Sequence, residues 1–183
     1  MNKAFKAIII VLVIGLVCSL CALIYNSYDY YLRHYYRTLE YKDYNSEVIE
    51  YLEPYENEPS VEELIALINA QTNTNYPLLC DTTFTGGHTN IQSHKIYMNP
   101  EIKRYQYAWI YTHEIFHNTF YTTNERFVEF ETFKFLFDNE NDYLRYSALN
   151  WLKNFNTDSV EYDIRYYAYG YLKEKGYNIK GEE

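Results

Sequence analysis

The longest uninterrupted apolar stretch lies at the N-terminus. Residues 7–25 read AIIIVLVIGLVCSLCALIY, 19 residues without a charge, which is enough for a helix that crosses a bilayer. Lys3 and Lys6 precede it. The residues after it, Asn26-Ser27-Tyr28-Asp29-Tyr30, contain no small-x-small cleavage site, and neither Cys18 nor Cys21 follows the small residues of a lipoprotein signal. The pattern therefore predicts an uncleaved anchor in preference to a cleaved signal peptide. The two lysines favour a cytoplasmic N-terminus, against the weaker opposing pull of Arg33 and Arg37. The expected topology is one span, with the rest of the chain outside the cytoplasm.

Beyond the anchor, Tyr28, Tyr31, Leu32, Tyr35, Tyr36 and Leu39 recur near helical spacing. This predicts a juxtamembrane helix within residues 26–52, its tyrosine rings suited to a headgroup region or to packing on the domain. Residues 53–59 (EPYENEP) read as an acidic linker broken by Pro54 and Pro59. Ser60-Val61-Glu62-Glu63 then has the form of a capping box, and Val61, Leu64, Ile65 and Ile68 make an apolar stripe. That helix should end near Asn73. A short strand is expected within 76–85, a turn at Gly86-Gly87, and a second strand over 89–98 (TNIQSHKIYM), where apolar and polar residues alternate weakly. Pro100 sits just ahead of a helix over 101–118. The loop FYTT leads to Asn124 as N-cap of a helix running to Phe137. Two more helices are expected near 141–154 and 158–174, followed by a polar tail, 176–183.

Composition narrows the function. A net charge of -9 over 183 residues repels phosphate backbones, which argues against nucleic acid as a partner. Of three cysteines, only Cys80 lies outside the apolar segment. The presumed domain thus holds neither an internal disulfide nor a thiolate metal cluster. The 24 tyrosines read as amphipathic core and surface aromatics and do not indicate a function.

The chemistry lies in His113-Glu114-Ile115-Phe116-His117. On a helix, residues four apart project from one face, so both imidazoles aim at one point. Glu114 lies beside that point without ligating, placed to take a proton from water. By chance the HExxH pattern occurs in roughly one chain in a hundred of this kind. A catalytic zinc site needs three protein ligands and a water. No histidine follows His117, which leaves a carboxylate from NERFVEFET: Glu125, Glu129 or Glu131. Glu125 and Glu129 share a helix face, and Glu131 points elsewhere. Glu125, in the first turn of a helix returning beside the histidines, is the preferred ligand. Glu129 would then hold a ligating histidine through its other ring nitrogen, or exchange roles with Glu125. His88 and His94 flank the expected strand and read as exposed polar residues, and His34 as a surface residue near the membrane. For an oxyanion donor the last helix offers Tyr162, Arg165, Tyr166 and Tyr169. The strand residues Lys95-Ile96-Tyr97-Met98, just before the active helix, read as an edge to which a peptide substrate could add.

HEIFH, a short loop and NERFVEFETFKFL together resemble glutamate-type zincins (gluzincins). With Leu144-Arg145-Tyr146-Ser147 and Tyr171-Leu172-Lys173, they resemble a little-characterised family of bacterial membrane-bound zinc peptidases over roughly residues 95–175. The resemblance implies a His-Glu-x-x-His helix carrying His113, Glu114 and His117, and a glutamate ligand on the next helix. That family shows a glycine three residues after the second histidine and a Glu-Ala-Asn around the ligand. Here Phe120 stands in the first place and the triplet is missing, so Glu125 and Glu129 both stay open. Members often have more than one span, where this chain shows one.

The expected fold is α+β. A mostly helical zincin-like domain with a small edge sheet (59–183) follows a transmembrane anchor (1–25) and a Tyr-rich juxtamembrane helix with acidic linker (26–58). The expected function is a single-pass, membrane-anchored zinc metallopeptidase of the bacterial envelope. It would cleave peptide or protein substrates by zinc-activated water with Glu114 as general base. The alternative is a tethered module that binds zinc without catalysis, or serves only for interaction.

Overall fold

A computed structural model of the chain describes residues 3–36, 55–154 and 164–176. The expectations for 37–54, for the start of the last helix before Ile164 and for the tail from 177 onward fall outside them. The chain divides into two compact units, Met1–Tyr41 and Lys42–Glu183. Among the described residues there are six helices and one three-stranded sheet, so the fold is α+β and mostly helical.

The first unit contains α1 (Lys3–Tyr36). Its described side chains from Ile9 to Ile24 are all exposed. Among the described residues no helix is long and apolar enough to cross a membrane.

Among the described residues, the first element of the second unit is α2 (Val61–Thr72). Its capping box is formed in full. The Glu63 amide donates to Ser60 Oγ at 3.2 Å, and the Ser60 amide donates to the Glu63 carboxylate at 2.7 Å, so two otherwise orphaned amides are satisfied. The helix stops at Asn73, whose φ of 52° is left-handed. Before it, Tyr55, in the segment read as linker, packs edge-on against Tyr143 at 5.1 Å.

Three short strands follow: β1 (Leu78–Cys80), β2 (Gly87–Asn90) and β3 (Lys95–Met98). The single strand expected over 89–98 is instead the end of β2, a turn and β3. The Asn90 side chain accepts the Ser93 amide at 3.0 Å, and His94 takes a left-handed φ of 51°. Together they reverse the chain without a glycine or proline. The sheet order is β1-β3-β2. β3 pairs in parallel with β1 (Leu78 opposite Ile96) and antiparallel with β2 (His88 opposite Tyr97). Residues 95–98 are therefore central, and the edge expected there belongs to β2 on one side and β1 on the other.

Four helices complete the unit: α3 (Arg104–Phe120), α4 (Glu125–Phe137), α5 (Asp142–Asn154) and α6 (Arg165–Glu174). α3 is the central element, with α2, α4, α5, β2 and β3 packed around it. Its apolar stripe includes Trp109, Tyr111 and Ile115, each at most 1% exposed. Trp109 stacks on Trp151 of α5 with ring centroids 5.1 Å apart. Burying a side chain of this size contributes on the order of 2 kcal/mol, and several such residues fix α3 against its neighbours. Arg145 of α5 donates to the carbonyls of Phe137 and Asn139 at 3.2 and 2.9 Å. This satisfies acceptors left over at the end of α4 and ties α4 to α5.

Candidate metal centre

His113 and His117 lie one turn apart on α3. The helix ends three residues after His117. Tyr121 adopts a left-handed φ of 48°, and its amide donates to the His117 carbonyl. Asn124 then caps α4 by accepting the Phe127 amide at 3.1 Å. This tight connection sets Glu125, the first residue of α4, against both histidines. Glu125 Oε2 is 3.1 Å from His113 Nε2 and 3.2 Å from His117 Nε2. The two Nε2 atoms are 2.9 Å apart. These three residues form a group able to hold a metal ion.

The hydrogen bonds around the triangle show why. His117 Nδ1 is 2.7 Å from the Thr122 carbonyl. A carbonyl can only accept, so Nδ1 carries the proton and Nε2 presents its lone pair to the centre. His113 Nδ1 is buried without a hydrogen-bond partner and faces Glu129 Oε1 at 3.6 Å. A proton on that nitrogen again leaves a lone pair on Nε2. Two imidazole lone pairs and a carboxylate then converge at 2.9–3.2 Å, which is repulsive unless a cation sits among them. Tetrahedral zinc ligands at about 2.0–2.2 Å stand roughly 3.4 Å from one another. The donor set and its spacing therefore suit such an ion.

Glu129 lies one turn beyond Glu125 and is 6% exposed. Its Oε2 accepts the Trp109 indole N–H at 3.0 Å, while Oε1 faces His113. Glu131 points elsewhere and pairs with Lys134 at 2.5 Å. Of the three glutamates, the structure brings Glu125 to the histidine nitrogens that face each other and Glu129 to the outer side of His113.

The electrostatics follow from burial. Burial pushes Glu114 up to about 7, with the His117 charge opposing and Glu125 adding to the rise. Glu129 rises to about 8 from burial, against the Trp109 hydrogen bond. Burial also penalises Glu125, yet without an ion the protonated forms of His113 and His117 beside it outweigh that penalty and hold the carboxylate down at about 2. His113 is lowered by burial. His117 is raised because its contacts with Glu125 and the Thr122 carbonyl overcome burial.

A cavity of about 350 Å³ opens over this centre, with Glu114 on its wall. Gly87, His88 and Thr89 of β2 also line it. β2 approaches closely because Gly87 carries no side chain: a Cβ there would lie 2.7 Å from Ile110 Cγ2 of α3. Asn118, next to His117, donates to Thr89 Oγ at 2.5 Å and pins β2 to the histidine helix.

His88, read from sequence as an exposed polar residue, is half-buried at the cavity's margin, its ring stacked on Tyr97 on the sheet face away from α3. The sequence signal for the close approach of β2 was Gly87, which gains meaning only once β2 is an edge. His94 instead stacks on Tyr76 at 5.7 Å. Among the oxyanion candidates, Tyr162 and the side chain of Tyr166 lie outside the described residues. Tyr169 is 2% exposed, and neither it nor Arg165 lines the cavity. No protein-family model, curated protein or solved structure matches the chain. Any functional reading therefore stands on the residues and geometry above.

Proposed function

We propose that the chain is a zinc-dependent peptidase held at a membrane by residues 7–25. The observation that carries this reading is the convergence of His113 Nε2, His117 Nε2 and Glu125 Oε2 beneath a cavity that Glu114 also faces. A metal kept only for structure would have no need of a buried carboxylate beside it and open space above it.

Zinc bound there would polarise a substrate carbonyl and acidify a water, which is its usual contribution to hydrolysis. The chain's own residues do the rest. Glu114 takes the proton of the attacking water and passes it to the departing amine. Glu129, anchored by Trp109, orients the His113 ring from behind. An extended peptide has a free strand edge to pair with in β2, where alternate side chains would face the cavity. This substrate edge replaces the one expected at 95–98.

The charge-free helical segment 7–25, with its exposed described side chains, supports the anchor. Lys3 and Lys6 support a catalytic unit outside the cytoplasm, as in a bacterial envelope.

The test uses the full chain purified in detergent. Elemental mass spectrometry should find close to one zinc per chain, lost in His113→Ala. A peptide library should be cut by the parent and left intact by Glu114→Gln, which should keep its zinc. Zinc with no Glu114-dependent cleavage would indicate a binding module, and a well-folded parent without zinc would overturn the reading.

A further inference from the structure

The hydrogen bonds of the sheet fix which backbone groups of β2 remain available. In an antiparallel pair, residues that exchange both backbone bonds alternate with residues that exchange none. The Asn99 amide donates to the Gly86 carbonyl at 2.9 Å, so the bonded positions are Gly86 and, two residues on, His88 opposite Tyr97. Gly87 and Thr89, opposite Met98 and Ile96, fall between them. Their partners on β3 face the other way. The Ile96 amide donates to the Pro77 carbonyl at 2.9 Å, and the Met98 carbonyl accepts the Asp81 amide at 3.0 Å, both on the β1 side. The N–H and C=O groups of Gly87 and Thr89 therefore point outward from β2, the outer strand of the sheet, and both residues line the cavity.

The side-chain positions of the same two residues face α3. Gly87 lies against Ile110. Thr89 Oγ accepts from Asn118 Nδ2 at 2.5 Å and donates to the Lys95 carbonyl at 2.9 Å. Asn118 is 3% exposed, and its Nδ2 also donates to the Glu114 carbonyl at 3.3 Å. One amide group thus joins the backbone of the proposed general base to the strand residue whose own backbone faces outward. Stability alone would favour an apolar residue here, because burying an amide costs free energy wherever it is left unbonded, and Asn118 Oδ1 has no hydrogen-bond partner.

We infer that Asn118 is a positioning residue that sets, through Thr89, the spacing between the metal centre and the strand edge on which an extended peptide pairs with the N–H and C=O of Gly87 and Thr89. This rests on the metallopeptidase reading and names its substrates as peptides long enough to run along β2. The test compares the parent with Asn118→Leu, which keeps the volume and removes the amide, and with Thr89→Val and Thr89→Ser, which remove and keep the hydroxyl. Each full chain is assayed for zinc content and for kcat/KM on the best-cut library peptide. The same is done with a truncated, end-blocked form that keeps one residue on each side of the scissile bond. Calorimetry with uncleavable phosphinic analogues of both lengths gives the same comparison where the short peptide is cut too slowly to follow.

Asn118→Leu and Thr89→Val should keep their zinc, lose roughly 10–100-fold on the long peptide and its analogue, and stay near the parent on the short ones. Thr89→Ser should match the parent throughout. A loss of equal size on long and short peptides, or no loss on either, overturns the inference and leaves the metallopeptidase intact. So does loss of zinc or of folding in both Asn118→Leu and Thr89→Val, which would make the contact structural; if only Asn118→Leu fails to fold, Thr89→Val decides. A parent without zinc or cleavage overturns both readings.

Discussion

Trp109 donates its indole N–H to Glu129 at 3.0 Å, joining one turn of α3 to the second turn of α4 behind His113. Trp109 is itself stacked on Trp151, so the carboxylate that faces His113 is anchored in the core. Outer groups of this kind typically change metal affinity by about 10–100-fold. Trp109→Phe keeps an aromatic ring in place and removes the donor. It should weaken zinc binding by roughly that factor without changing the saturating stoichiometry. Competition against a chromophoric chelator measures it, and an affinity equal to the parent's would remove Glu129 from the site's design.

Glu125, Glu129 and Glu131 differ in what they touch, so their alanine variants should separate. Glu125→Ala removes the carboxylate that both Nε2 atoms face and should abolish stoichiometric zinc. Glu129→Ala should retain zinc at reduced affinity. Glu131→Ala breaks only the pair with Lys134, an i,i+3 contact worth about 0.2–0.5 kcal/mol, and should bind zinc like the parent. Zinc lost from Glu129→Ala and kept by Glu125→Ala would reverse the assignment.

How much of this was legible in the sequence depended on whether the signal was local. Ser60 and Glu63, Pro100 before α3, and Asn124 before α4 are short-range devices, and the helices begin close to where they point. The β2–β3 hairpin was hidden because its turn uses Asn90 and a left-handed His94 in place of glycine, so the alternation read straight through it. With that turn unread, residues 95–98 read as an edge and β2 has no place beside the cavity. The choice between Glu125 and Glu129 was open because both share a face of α4. What separates them is the tight turn at Tyr121, which the side-chain pattern does not encode. The oxyanion candidates on the last helix suffered the opposite problem, since with 24 tyrosines their abundance carried no position.

Gly87 and Gly86 form a natural pair of tests for the approach of β2 to α3. A Cβ on Gly87 would lie 2.6 Å from Met98 Sδ and 2.7 Å from Ile110 Cγ2, whereas one on Gly86 meets only Ile110 Cδ1 at 3.4 Å. Gly87→Ala should cost about 1–3 kcal/mol from overpacking, lowering Tm by roughly 2–4 °C per kcal/mol. Gly86→Ala should be close to neutral. Thermal unfolding followed by circular dichroism compares them. Equal melting temperatures for the two variants would mean that β2 is free to move away from the histidine helix.

Buried tyrosines should set the alkaline limit of the fold. Burial pushes Tyr107 up to about 12 from an ordinary value of 10.0, helped by Tyr111 and Glu62 and opposed by Arg104. Tyr143 is raised still further, by burial and the nearby Glu58 carboxylate. A group whose folded pKa lies above its unfolded one gives stability that is intact below the unfolded value and lost as pH climbs through the folded value. Between pH 10.0 and about 12 the unfolded chain releases the Tyr107 proton while the folded chain keeps it, so stability must fall across that window. Tyrosinate absorbance should therefore rise in two phases. An early one comes from exposed tyrosines, and a later one should coincide with loss of the circular dichroism signal. Tyr107→Phe keeps the packing and removes the titrating hydroxyl, and should move the unfolding midpoint to higher pH. An unchanged midpoint would show that Tyr107 gives up its proton without unfolding the core around it.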